Sequence, residues 1–295
     1  MPRFRFWQIQ MKTNYLRKLK WIIAILTSVF LVQSCFSFKT WYGWLDTYIS
    51  WQVDEYFDIT SEQKDFMSLR LRVLLDSHKN NEIPKYIAFL QEIKSRLERD
   101  VVVEDIDWFR NSIWQFNNNL ANILVDDVTE FLSGISDDQL VYLKEKLVEE
   151  NRSWLEEHDS EEQSKEDRLE STYGRVEEWI GELTTEQKEK IEQMYQPNTR
   201  GHELRYQRRL TSQQRFFETM EARFNRETLK AGLLDWYLKP EEYYPEEYKQ
   251  ANRIFASRTD EMILMLSRTA IPEQRKYANR KLDDYIAQLE AILRE

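Results

Sequence analysis

Ile106-Asp107-Trp108-Phe109-Arg110-Asn111-Ser112-Ile113-Trp114-Gln115-Phe116-Asn117-Asn118-Asn119-Leu120-Ala121-Asn122-Ile123 decides the fold class. Its apolar residues Ile106, Phe109, Ile113, Phe116, Leu120 and Ile123 recur at alternating steps of three and four, which lines one face of a helix. Outward from this stretch the same period returns. Leu140, Leu143, Leu147 and Trp154 mark one face, Leu169, Tyr173, Val176, Ile180 and Leu183 another, and Leu282, Tyr285, Leu289 and Ile292 a last one. Nothing of similar length alternates with period two. Six glycines and six prolines in 295 residues leave few interruptions. The pattern predicts an all-α protein, an elongated bundle of about eight to ten helices.

Helix starts are written into the chain. Thr60-Ser61-Glu62-Gln63, Ser136-Asp137-Asp138-Gln139, Thr184-Thr185-Glu186-Gln187 and Thr211-Ser212-Gln213-Gln214 fit the capping box, in which a hydroxyl accepts one backbone N–H and a Glu or Gln side chain accepts another. Each follows an Ile or Leu (Ile59, Ile135, Leu183, Leu210). Ala270-Ile271-Pro272-Glu273-Gln274 keeps the Gln and places proline near a helix start but lacks the hydroxyl. The uneven spacing argues against a solenoid repeat. Helices are expected at residues 40–57, 60–80, 83–99, 103–132, 136–181, 184–195, 203–235, 245–269 and 272–294, with the acidic run His158 to Asp167 either breaking the fifth or running through it. Loops are expected at 197–201 and 240–245, and the best candidate hinge is 196–202.

The N-terminal region gives an address. Basic residues Arg17, Lys18 and Lys20 precede an apolar run from Trp21 to Val32, which Leu31-Val32-Gln33-Ser34-Cys35 closes. That is the order of a secretory signal, and a run this short falls under the roughly 20 residues a spanning helix needs. The stretch resembles the lipobox of bacterial lipoproteins, although Gln33 stands where a small residue is usual. The resemblance implies a signal peptide over 1–34, a diacylglycerol on Cys35, and a short tether over 35–39 before a helical domain at 40–295. An uncleaved anchor or an ordinary buried cysteine is the alternative. Phe36 after the cysteine, in place of Asp, implies by similarity to enterobacterial lipoproteins delivery to the outer membrane, facing the periplasm of a Gram-negative cell. Phe4, Phe6 and Trp7 precede a second methionine, so Met11 is the expected start of translation.

Charge divides at the same point. Residues 1–34 carry six bases and no acid, so of the net charge of -10 the remainder holds -16. Such a surface repels phosphates and argues against DNA or RNA as a partner.

Trp41, Tyr42, Trp44, Tyr48, Trp51, Tyr56 and Phe57 crowd the first helix of the domain. They suit either an interfacial helix beside the anchor, since Trp and Tyr favour headgroup depth, or a face packed into the core. The core reading is preferred, because aromatics dominate burial energetics and because Asp46, Asp54, Glu55 and Asp58 oppose acidic lipid. Lipobox, Trp44-Leu45-Asp46, Trp51, and Asp54-Glu55-Tyr56-Phe57-Asp58 running into the first capping box resemble a family of proteobacterial helical lipoproteins known only as a domain of unknown function. The Leu-Thr-x-x-Gln sites are similar to those of periplasmic stress chaperones of the Spy and CpxP type.

Little in the sequence points to chemistry. His78, His158 and His202 are the only imidazoles, and His202-Glu203-Leu204-Arg205-Tyr206 starts like a zinc-protease helix without its second His. Neither a phosphate loop nor a nucleophile elbow is present, and neither a cofactor nor a metal is expected beyond the lipid on Cys35. Asp54 and Asp58 stand four apart, a spacing a carboxylate-dependent enzyme or a calcium site could use. Arg200, Arg205, Arg208 and Arg209 form a basic cluster, which either docks an acidic partner or pairs internally with the many acids. Partner contacts are sought there and at Trp41, Trp44 and Trp51. Three functions follow in order: a non-catalytic tethered protein that binds an envelope partner, a tethered holdase with its Met-containing helices at Met220 and Met262 to Met265, and an enzyme acting through Asp54 and Asp58.

Overall fold

The computed structural model describes residues 38–158, 164–196 and 200–294, and every regular element in them is helical. In chain order these are α1 Phe38–Gly43, α2 Leu45–Phe57, α3 Ser61–Asn81, α4 Ile83–Arg96, α5 Val103–Ser133 and α6 Asp137–His158. There follow α7 Lys165–Ile180, α8 Thr185–Met194, α9 Gly201–Met220, α10 Arg226–Leu238, a 3-10 turn at Pro240–Glu242, α11 Glu246–Thr269 and α12 Pro272–Leu293. The expected signal segment, Met11 and Cys35 lie outside the described residues, as do 197–199 of the expected hinge.

Three expected helices are each divided in two. The segment expected at 40–57 breaks at Trp44, between α1 and α2. The one expected over 136–181 ends at His158, and a new helix starts behind Ser164, whose hydroxyl accepts the Asp167 N–H at 3.1 Å. This is a capping box with Asp in the acidic position, shorter than the Glu or Gln sought in the sequence. The segment expected at 203–235 breaks between Met220 and Arg226, where neither Gly nor Pro announces a turn. Buried Arg223 holds the break open by donating to the Ile135 carbonyl at 3.2 Å and pairing with Asp137, and Asn225 caps the next helix through the Thr228 N–H at 3.1 Å. Thr211-Ser212-Gln213-Gln214 is not a helix start. It lies inside α9, where the Thr211 hydroxyl donates back to the Gln207 carbonyl at 2.9 Å, a bond that a mid-helix Thr makes readily.

The other four sites start helices, and they meet in pairs. The Gln63 amide donates to the Gly134 carbonyl and to Gln139 Oε1, each at 3.2 Å, while Gln139 donates to the Asp58 carbonyl at 3.2 Å and to Gln63 Oε1 at 2.8 Å. Gln187 and Gln274 repeat the wiring. Gln187 donates to the Thr269 carbonyl at 3.1 Å and to Gln274 Oε1 at 2.9 Å, and Gln274 donates to the Glu182 carbonyl and to Gln187 Oε1, each at 2.8 Å. Each glutamine also accepts the N–H at its own helix start. One amide thus caps its own helix and ties off the carbonyl end of another, which satisfies groups that helix termini leave open. Around the first pair α2 packs on α6 and α3 on α5; around the second α7 packs on α12 and α8 on α11. The chain contains two units of the same design, each made from two helix–turn–helix segments.

Apolar burial follows this division. In the first unit Val125, Leu132, Ile135, Met220, Leu229 and Leu233 form a core to which α10 contributes, with Phe57, Phe131 and Leu140 against it. In the second, Leu169, Leu183, Ile191 and Leu266 are backed by Tyr173, Val176, Ile180, Met262 and Met265. A fully enclosed side chain such as Leu229 contributes about 1.5–3 kcal/mol relative to exposure. Close approach of α9 and α10 depends on Gly232, where a Cβ would stand 2.8 Å from Thr219 Cγ2. The two units join where α4 packs on α12, with the Val101 N–H donating to Ser267 Oγ at 2.7 Å and Arg275 pairing with Asp100 at 2.7 Å.

Two expectations about faces are corrected. Ile106 is buried, but Phe109 and Ile113 of the same stripe are exposed, because α5 turns its C-terminal half, Ala121 to Leu132, into the core. The aromatics of the first segment do not go to the core together. Tyr42 and Phe57 turn inward, whereas Trp41, Trp44, Tyr48 and Trp51 are 44, 60, 49 and 57% exposed. The packing face of α2 is the stripe Leu45, Ile49, Val53 and Phe57 on the other side of the helix, so the large rings are left outside.

Candidate functional site

The arginine cluster lies in a cleft. On α9, Arg205, Arg208, Arg209, Ser212 and Gln213 fall at i, i+3, i+4, i+7 and i+8, one face of a helix. Opposite stand Leu147, Glu150 and Trp154 of α6, at i, i+3 and i+7, with Tyr56 from the last turn of α2 and Tyr244 after the 3-10 turn closing the ends. The space enclosed is about 400 Å³, within the range of small-molecule and peptide side-chain pockets.

The floor is a closed polar network. Tyr56 donates its hydroxyl to one oxygen of Glu150, and Arg209 Nη2 donates to the other at 2.8 Å. Arg209 Nε donates to Asn151 Oδ1 at 2.6 Å, and Asn151 and Gln213 exchange amide hydrogen bonds at 2.8 and 3.1 Å. The hydrogen bond to Glu150, then burial, then the charge of Glu150 raise the Tyr56 phenol, against the pull of Arg209 and Lys146, so it remains a donor. With both oxygens of Glu150 engaged and Asn151 buried, the floor is set before anything binds.

The rim is less satisfied. Arg208 lies over the rings of Tyr244 and Tyr248 at 5.7 and 5.6 Å, and its Nε is buried without a hydrogen bond. Burial raises the Tyr244 phenol although Arg208 pulls it down. Arg205 is exposed and donates to His202 Nδ1 at 2.9 Å; a guanidinium has no acceptor, so this imidazole nitrogen carries no proton. Among the described residues no carboxylate pairs with Arg205 or Arg208. Trp154 stacks on Tyr206 at 5.5 Å beside them. Three guanidinium groups against a single carboxylate already engaged, between flat aromatic walls, make a seat for an anion; planar guanidinium groups grip carboxylates with two parallel hydrogen bonds.

The remaining expected residues lie elsewhere. Arg200 stands off the cleft and is engaged by Glu203 and Glu247, so the cluster divides between internal pairing and the cleft. Asp54 pairs with Lys64 at 2.9 Å and accepts the Ile59 N–H at 3.2 Å. Asp58 follows the end of α2 with φ of 45°, its N–H donating to the Asp54 carbonyl, so the two carboxylates do not share a helix face. Trp41, Trp44 and Trp51 lie outside the cleft lining, and Cys35 outside the described residues. Met220 is buried in the first core, and Met262 and Met265 pack against the second. Among the described residues no three His, Cys, Asp or Glu side chains converge to hold a metal ion, and no helix is long and apolar enough to cross a membrane.

Sequence reasoning found the arginines but not what faces them. In the sequence alone Glu150, Asn151, Trp154 and Tyr244 share no signal, and Gln213 falls within a capping-box pattern. The available signal was the helical spacing from Arg205 to Gln213. No curated protein and no solved structure matches the chain. The model of a family of unknown function, DUF6279, matches residues 55–249, a span that includes every residue lining the cleft, and the chain belongs to that family.

Proposed function

We propose that this protein is a non-catalytic binding factor of the cell envelope, held through a lipid on Cys35 at the periplasmic face of the outer membrane of a Gram-negative bacterium. Its arginine and tyrosine cleft receives an acidic segment of an envelope protein. The observation that carries this reading is the pairing of Arg205 and Arg208, without carboxylate partners among the described residues, with a floor already closed by Tyr56, Glu150, Arg209 and Asn151. Support for the address comes from the basic, apolar and Cys-terminated leader and from Phe36.

Without residues 1–34 the protein is acidic as a whole, with net charge -16, so an acidic partner feels attraction only close to the cleft. Screening beyond about 8–10 Å at physiological ionic strength makes such short-range capture feasible. The test is photo-crosslinking in intact cells from a probe at Ser212, in the full-length protein and in Arg205→Glu. One discrete adduct that disappears on charge reversal is the expected result. A broad set of envelope adducts insensitive to Arg205→Glu would replace this reading with a holdase.

A further inference from the structure

Tyr48 and Trp51 stand on α2, Trp44 caps its start four residues before Tyr48, and Trp41 lies just ahead of them on α1. All four are exposed, Trp44 and Trp51 by 60 and 57%, while the aliphatic stripe on the other side of α2 does the packing. A solvated face built from four large aromatics is costly to leave in water. The acids that would repel an anionic surface are largely engaged or turned away. Asp54 pairs with Lys64, Glu55 pairs with Lys146, and Asp46 lies about 200° round the helix from Trp44.

Position in the chain says what covers this face. Trp41 follows Cys35 by six positions, and extended chain spans at most about 3.3–3.6 Å per residue, so the face begins within about 20 Å of the attachment point. We propose that Trp41, Trp44, Tyr48 and Trp51 insert into the headgroup layer of the membrane to which Cys35 is attached, laying α1 and α2 along the bilayer. This rests on the tethering stated above. Indole and phenol rings settle at headgroup depth because one end is apolar and the other hydrogen-bonds. An acyl chain and an aromatic face acting together turn a swinging tether into a fixed orientation, which would hold the cleft in one direction relative to the membrane.

The experiment uses the acylated protein purified from membranes and reconstituted into vesicles of phosphatidylethanolamine and phosphatidylglycerol with brominated acyl chains. Tryptophan quenching is compared between wild type and a Trp41→Phe, Trp44→Phe, Trp51→Phe variant, with flotation and the mass of the Cys35 peptide measured on the same samples. Quenching of the wild type that falls at least about threefold in the variant is the expected result, because only rings at the interface meet the bromines. Equal quenching in both, or none in either, with both proteins floating, overturns the aromatic face and leaves the tether standing. Disulfide-linked dimers formed through Trp51→Cys without wild-type quenching assign the face to a second copy and also overturn it. Loss of flotation with an unmodified Cys35 removes the tether itself, and the inference with it.

Discussion

Gln63 and Gln139 make the same reciprocal hydrogen bonds as Gln187 and Gln274, yet the first pair is open on one side, with Gln63 half-buried and Gln139 9% exposed, and the second is enclosed, with Gln187 fully buried and Gln274 3% exposed. The turns also differ. Thr60, Ser136 and Thr184 each supply a hydroxyl to the N–H of their glutamine, whereas Ile271 supplies none and leaves Pro272 to start the helix. The pairing survives loss of the hydroxyl. The glutamine amide therefore links the segments, and the hydroxyl serves only its own helix. The comparison also separates two physical regimes for one motif, since water can reach a lost partner on the Gln63 side of the first pair and cannot reach the second.

The largest expected asymmetry is between Gln187→Leu and Gln63→Leu. Removing Gln187 leaves one N–H of Gln274 and the Thr269 carbonyl unpaired away from water, a loss of about 3 kcal/mol, against about 1 kcal/mol for Gln63. Urea unfolding measures both, and equal losses would break the distinction. In the double variant Gln187→Leu, Gln274→Leu part of the loss returns, because the stranded amide is gone too.

The turns sharpen the contrast. Gly181 has φ of 79°, and a Cβ there would meet Tyr277 Cγ at 3.3 Å, so Gly181→Ala is expected to cost about 1–3 kcal/mol. Gly134 has φ of -91°, and Gly134→Ala should be neutral or stabilise by about 0.5 kcal/mol. Thermal unfolding distinguishes them.

Charge separates the units as well. The amide pairs do not titrate, but the helices of the first unit carry buried groups that do. Burial lowers His78, against an opposing push from Glu82, where its ring lies between the hydroxyls of Tyr42 and Tyr86 at 3.0 and 3.3 Å. The unfolded chain therefore takes up this proton first. The contribution of neutral His78 is full above about pH 6.5 and is lost as pH falls through the lower folded value. Asp105 behaves in the same sense further down. Hydrogen bonds from Arg99, with Val102 N–H and Arg96 assisting against burial, hold its carboxyl far below the usual range, so its contribution is full above about pH 3.9 and is lost in stronger acid. Hydrogen exchange from pH 7 to 5 should show α3 opening before α8, and His78→Gln should flatten the difference; simultaneous opening would contradict it. At the alkaline end Tyr42, pushed up to about 12 chiefly by burial, keeps its contribution below pH 10.0 and loses it as pH rises through the folded value.

The smallest effect is a gain. Ile271 is 39% exposed, and Ile271→Thr would add the hydroxyl the fourth site lacks, stabilising by about 0.5–1 kcal/mol. Thr60→Ala should lose about 1 kcal/mol by the same reasoning. No gain from Ile271→Thr in a melting curve would mean that the hydroxyl has no separate role.

The candidate site was legible only in part. Arg205, Arg208 and Arg209 stand out in an acidic sequence, but Glu150 and Asn151 look like any solvated helix residues until α6 is brought against α9, 58 or 59 residues away along the chain. The exposed aromatics misled for a related reason. Their size argues for burial, while packing against α3 and α6 takes the aliphatic side of α2 and leaves the aromatic side outward.

What the sequence determined by itself was local: the helical period, the four true helix starts, the order of basic, apolar and cysteine residues over 17–35, and the sign of the net charge. Each of these depends on residues within one or two helical turns, where backbone geometry leaves few options. Only the tertiary structure decided which glutamine meets which, across 76 and 87 residues, that Thr211 caps nothing, that Trp44 and Trp51 face outward, and that three arginines share a cleft with Tyr56 and Glu150. Those outcomes depend on which helix faces bury the most apolar surface together, a property of the whole packed chain that no short window of sequence contains.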